Sequence, residues 1–271
     1  KEPTKTQYEL FQKYDSFNEA EFAELCEYAH FKGMDFTATP FDYASADYLE
    51  RYVDFYKISS SDASNLPFLE HVGSKGKPVV LSVGASWLSE VDEAVRTLER
   101  SGCTDITILH CVLSYPTDPA NANLRVIETL AQDFPRHKVG YSDHVAPDSA
   151  MQVLSAAYLL GAQVIEKHFT LDKGLSGNDH YHSGDIADFK HAVENFRLID
   201  SVLGSADKVV LPCEEESRRE ARRSLVLTRD MYTGEVIGVD DLMPKRPGTG
   251  IAPAFVDVII GRTVKMDLAE D

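Results

Sequence analysis

Short apolar runs rich in Val and Ile alternate with stretches of helical periodicity from residue 17 to residue 203, and that alternation limits the fold more than any other feature. Residues 17–31 read as a helix with Phe22, Leu25 and Ala29 on one face, stopped by Gly33. A strand over 34–39, ended by Pro40, a short helix over 45–52, a strand over 55–59 and a helical turn or two over 66–71 follow. Next come a strand over 78–83, an amphipathic helix over 88–100 closed by Gly102, a strand over 106–111 and a helix over 124–133. The runs 138–141 and 164–165 are the last two strands, with a helix-like stretch over 150–161 between them and a long helix over 188–203 after. Such an order means a parallel sheet covered by helices. About six β/α units precede Gly204, which leaves open an eight-unit barrel or a doubly wound sheet. Polar residues close the strands of every unit, as on a barrel rim, and no Gly-x-Gly-x-x-Gly follows a strand to make a dinucleotide crevice.

The last two strands each run into a histidine, in Ser142-Asp143-His144 and in Glu166-Lys167-His168-Phe169. Strand–helix–strand connectivity makes them parallel neighbours, so both imidazoles leave the same rim of one sheet. Two convergent histidines suit an open divalent-metal site; taken alone they also suit a rim that merely hydrogen-bonds.

After Gly204 the pattern changes. Residues 212–223 are polar and charged and read as a linker. Short β segments over 224–227, 235–237, 258–260 and 263–264, punctuated by Gly and Pro, read as a small β-rich domain of about 50 residues, too small for a large core. The expected division is a barrel over 1–204, a linker over 205–220 and the small domain over 221–271.

Composition narrows the partners. A formal charge of −17 repels nucleic acid and anionic membranes, so an anionic substrate needs Lys and Arg concentrated at its site. No apolar run reaches the roughly 18 residues of a membrane span and no secretory signal opens the chain, so a cytoplasmic protein is expected. Cys26, Cys103, Cys111 and Cys213 form no Cys-x-x-Cys pair and read as free, buried thiols.

Several motifs carry a specific resemblance. They are Thr39-Pro40-Phe41-Asp42, Tyr56-Lys57-Ile58-Ser59-Ser60, 76–82, His110-Cys111 with Tyr115-Pro116-Thr117, Gly140-Tyr141-Ser142-Asp143-His144 and 166–170. In this order they resemble the sialic acid synthase family, whose members condense phosphoenolpyruvate with an N-acylated amino sugar. The stretches 221–225 and 245–250 resemble that family's C-terminal antifreeze-like (SAF) domain. The resemblance implies a TIM-type (β/α)8 barrel, with two further strands expected ahead of Lys1 and a truncated SAF domain.

The resemblance also implies roles. His144 and His168 match the metal ligands, with Mn²⁺ as the expected ion and Mg²⁺ or Co²⁺ as alternatives. Lys57, Ser60 and Ser82 match the residues that hold the phosphate and carboxylate of phosphoenolpyruvate, and Ser142 is a further donor. Asp62 stands where the family often has a Glu near the reacting centre. Tyr115 and Asp179 match sugar contacts. Arg246 matches a SAF-domain arginine that contacts the N-acyl group in a partner subunit's barrel, which implies a domain-swapped homodimer. The chain departs from the pattern at Leu113, where many relatives carry Ser or Asn, and at Ser176, Asn178, Tyr181 and His182. His180 keeps to the pattern; His182 reads as a solvated loop residue, with reach to the metal or to a sugar hydroxyl as the alternative. The expected product is a nonulosonic acid of sialic, legionaminic or pseudaminic type. The rival readings are a ketodeoxy sugar-acid synthase of the aromatic-pathway type and an inactive, truncated sugar-binding relative.

Overall fold

The computed structural model describes Thr6, Glu9, Lys13 and residues 17–271. The chain divides into two compact units, Lys1–Leu203 and Gly204–Asp271.

In the first unit the elements run α1 (Glu19–Phe31), α2 (Tyr43–Leu49), β1 (Tyr56–Ile58), α3 (Leu66–Gly73), β2 (Val79–Ser82), α4 (Leu88–Arg100), β3 (Ile106–Cys111), α5 (Val126–Asp133), β4 (Lys138–Asp143), α6 (Gln152–Leu159), β5 (Val164–Lys167) and α7 (Ile186–Leu203). The five strands are all parallel and pair in chain order, β1 to β5. A doubly wound sheet reverses its strand order at a switch point; this one never does, so it is an arc of a (β/α)8 barrel.

The helices follow from their caps and stripes. Asn18 accepts from the amides of Ala20 and Glu21 while Glu21 accepts from the amide of Asn18, which starts α1. In α4, Val91, Ala94, Val95 and Leu98 form a buried i, i+3, i+4, i+7 stripe. Every residue of β3 is buried, as expected of a strand covered on both faces. Gly140 lets β4 lie close to β5: a Cβ there would sit 2.2 Å from the Val164 carbonyl oxygen.

Residues 34–39, expected as a strand, join no ladder. Asp54 replaces the ladder. Its carboxylate accepts from the Phe36 amide at 2.7 Å and its amide donates to the Phe36 carbonyl at 2.9 Å.

The second unit pairs β6 (Ser224–Leu227) with β7 (Leu242–Lys245) antiparallel. Its core is Leu227, Met231 and Val264, with Ile237 and Leu242 packed against them. Three expectations change here. The charged linker contains α8 (Glu215–Ala221), the strand expected at 258–260 is instead the end of α9 (Val256–Ile259), and Cys213 is an exposed thiol. The segments 235–237 and 263–264 form no named strand, but they meet at the antiparallel Val236–Thr263 bridge, where the Val264 amide donates to the Glu235 carbonyl at 2.8 Å.

Candidate active site

The C-terminal ends of β1 to β5 open into a cavity of about 840 Å³. Of the ten residues expected at the site, Lys57, Ser60, Ser82, Tyr115, Ser142, His144, His168 and Asp179 line it. Asp62 does not. It ends the 3₁₀ turn Ser60–Asp62, and its carboxylate accepts from the Asn65 amide group at 3.1 Å and from Ser61 at 3.3 Å. Arg246 lies in the second unit, exposed, just beyond β7.

Strand alternation explains the wall beneath the histidines. Ser142 pairs with Glu166 and Asp143 with Lys167 in the β4–β5 register. With a side-chain period of two, Ser142 and His144 on one strand and Glu166 and His168 on the next share the cavity face. Tyr141, Asp143 and Lys167 take the opposite face. There the Lys167 ammonium meets the Asp143 carboxylate at 2.7 Å, both all but fully buried. Asp143 also accepts from the Tyr141 hydroxyl and the Val145 amide, each at 3.0 Å, and Lys167 also donates to the Val145 carbonyl. This satisfied ion pair clamps the two strand ends that carry the histidines.

At the other end of the cavity, Lys57 leaves β1 with its ammonium 3.3 Å from Glu166 and 3.1 Å from the Ile58 carbonyl. Ser60 accepts from the Gly84 amide at 2.9 Å. Ser82 lines the cavity, and its buried hydroxyl makes no hydrogen bond. The Cys111 thiol lines the same cavity, 3.7 Å from Nδ1 of His144, and burial pushes its pKa up, so it stays protonated. Leu113 lines the same end and contributes no donor there.

The aromatic and imidazole rings gather around Tyr115. Its centroid is 4.1 Å from His144, 6.0 Å from His168 and 5.9 Å from His182. Burial raises the Tyr115 phenol to about 12, so it remains a hydrogen-bond donor at neutral pH. Nδ1 of His144 lies 2.9 Å from the Val112 carbonyl, which can only accept. Nδ1 therefore carries the proton and Nε2 keeps its lone pair. Burial lowers the pKa of His144, which holds the ring neutral, as a metal ligand must be.

Sequence reasoning missed Glu166 and misjudged the burial of His182. Glu166 lines the cavity beside Lys57; its signal was the two-residue spacing to His168. His182, expected in a solvated loop, is 0 % exposed. Neither of its ring nitrogens has a hydrogen-bond partner, although each unmet buried polar atom costs about 1–3 kcal/mol.

The donor set fits a divalent cation. The centroids of His144 and His168 are 5.3 Å apart. With metal–nitrogen bonds of about 2.1 Å, that separation lets one nitrogen of each ring reach a shared ion. Among the described residues, the cavity sets one fixed cation, Lys57, against the carboxylates of Glu166 and Asp179. A bound dication redresses that balance for an anionic substrate.

The sequence profile of the NeuB family matches residues 1–208 and that of the SAF domain matches residues 222–271. An uncharacterized protein of Methanocaldococcus jannaschii is 46% identical over 265 residues, covering 97% of this chain and 77% of the relative. The N,N'-diacetyllegionaminic acid synthase of Legionella pneumophila is 38% identical over 269 residues, covering 97% and 74%. The crystal structure of the N-acetylneuraminic acid (sialic acid) synthetase of Leptospira borgpetersenii superposes with a TM-score of 0.68 at 33% identity, covering 74% of this chain and 69% of that one. The chain belongs to the NeuB family, carries a SAF domain, and is an enzyme of the sialic acid synthase type.

Proposed function

We propose that the enzyme condenses phosphoenolpyruvate with the open-chain aldehyde of an N-acyl amino sugar, giving a nonulosonic acid and phosphate. One observation carries this reading: a single cavity has an anion-binding end, Lys57 with Ser60 and Ser82, and a cation-binding end, His144 with His168. The known specificity of the relatives, legionaminic and sialic acid synthesis, supports the same chemistry.

In balance, C3 of phosphoenolpyruvate forms a bond to the aldehyde carbon, whose oxygen gains a proton. Water adds at C2, and the C2–O bond then breaks to release phosphate. Lys57 supplies charge to the phosphoenolpyruvate anion and Ser60 and Ser82 supply donors, with Ser142 close by. Glu166 holds the Lys57 ammonium in register. Tyr115 keeps its phenolic proton to donate to the acceptor, and Asp179, 58 % exposed at the mouth, accepts from sugar hydroxyls. His144 and His168 would hold a divalent cation, Mn²⁺ in the first instance, which supplies Lewis-acid polarisation of the aldehyde. In the same reading, Arg246 of the partner subunit contacts the N-acyl group in a homodimer.

The test is phosphate release. It is expected only with both substrates and a divalent cation present, and His144→Ala is expected to abolish it. Full turnover by that variant in excess chelator would contradict the reading. Arg246→Ala is expected to raise the acceptor KM about tenfold, as the loss of a charged hydrogen bond does.

A further inference from the structure

His182 belongs to a group that the fold builds in one place. Among the described residues, one ligand atom each from His168, Asp179 and His182 lies within 4.8 Å of the other two. Asp179 caps the 3₁₀ turn His180–His182, and in such a turn side chains three apart eclipse, so Asp179 and His182 share a face. The turn is fastened to the strand that carries His168. The Gly184 amide donates to the His168 carbonyl at 2.8 Å and the Thr170 amide to the Gly184 carbonyl at 2.9 Å. His180 is engaged elsewhere, with Nδ1 2.8 Å from the Thr170 hydroxyl. The His182 ring, in contrast, is wholly buried with both nitrogens unpaired, and its centroid is 5.1 Å from that of His168. With metal–nitrogen bonds of about 2.1 Å, that separation lets one nitrogen of each ring reach a shared ion.

We propose that His182 is a third imidazole ligand of the metal centre, joining His168, His144 and the Asp179 carboxylate, and that it makes this centre favour Zn²⁺ and Co²⁺ over Mn²⁺ more strongly than two histidines would. The inference rests on the metal reading above. Imidazole nitrogen suits zinc and cobalt, whereas oxygen donors suit manganese and magnesium, so each added imidazole moves the preference along the Irving–Williams order. A histidine that served only to bond a sugar hydroxyl would leave metal affinity untouched.

The test uses the full-length, metal-stripped protein and the metals alone. X-ray absorption at the zinc edge of the wild-type Zn²⁺ complex counts imidazoles directly and needs no variant; three are expected. Competition against a chromophoric chelator compares wild type with His182→Phe, which keeps a buried ring and removes both nitrogens. Zn²⁺ affinity is expected to fall roughly 100-fold, the upper end of what even an indirect partner of a metal site contributes. Mn²⁺ affinity is expected to change far less. Two imidazoles by absorption, or Zn²⁺ affinity equal in the two proteins, would overturn the proposal while leaving the His144–His168 centre standing. Zn²⁺ binding no tighter in wild type than in the His144→Ala/His168→Ala double variant would overturn both.

Discussion

The two ends of the cavity are built differently. The anion end takes Lys57 and Ser82 from strands and Ser60 from the turn that follows β1, and a backbone amide holds Ser60 in place. The histidine end depends on a buried ion pair, Asp143 with Lys167, and on the turn His180–His182 beyond β5. One end is set by strand register and one short turn held by a backbone amide. The other is set by a clamp behind the strands and a turn in front of them.

Breaking the clamp should have the largest effect on the fold. Lys167→Met leaves the Asp143 carboxylate buried without its partner, and a loss of about 3–5 kcal/mol is expected in urea unfolding. A loss below about 1 kcal/mol would mean that the pair does not hold the strand ends. Gly140→Ala presses a methyl group onto the Val164 carbonyl and is expected to cost about 1–3 kcal/mol by the same measurement.

Kinetics should separate the ends. Ser82→Ala is expected to raise the KM for phosphoenolpyruvate roughly tenfold, about one hydrogen bond to a charged group, with the acceptor KM unchanged. Tyr115→Phe, which removes the phenolic donor to the acceptor, is expected to do the reverse. If either variant moved both constants equally, the two-ended description would fail. Leu113→Ser, which returns a hydroxyl to the anion end, should lower the KM for phosphoenolpyruvate only a few-fold.

A small effect of pH on stability is expected away from the site. The Phe36 amide and then His30 hold the Asp54 carboxyl below its ordinary pKa. Its contribution is therefore present above the unfolded carboxylate pKa and lost as pH falls through the lower, folded one. The acid limb of a melting-temperature profile should flatten in Asp54→Asn.

The same contrast marks what the sequence made legible. The helix Leu88–Arg100 and the strand Ile106–Cys111 match their expected bounds, because a period near 3.6 and an unbroken apolar run each admit one reading. Eight of the ten expected site residues line the cavity; Lys57, Ser82, Ser142, His144 and His168 do so from strands or the position directly after them, where alternation fixes direction. Burial of His182 was hidden, since it depends on Gly184 and Thr170 fastening a turn back onto β5, and no periodicity records that. In the second unit the β-branched residues at 258–260 suggested a strand, yet the chain turns helical after Pro253 and most of that run falls in α9. The strand Leu242–Lys245 was hidden by Pro244, which is tolerated because β7 pairs on one side only. No helix among the described residues is long and apolar enough to cross a membrane.

The central claim is that one cavity holds a cation at His144 and His168 and the phosphoenolpyruvate anion at Lys57, Ser60 and Ser82. Anomalous diffraction from crystals soaked in Mn²⁺ and phosphoenolpyruvate tests it most directly. The account predicts one manganese peak within about 2.3 Å of a nitrogen of each imidazole, and phosphate oxygens in hydrogen-bond reach of Lys57 and Ser82. Manganese bound away from both rings, or phosphate seated among the histidines, would contradict it.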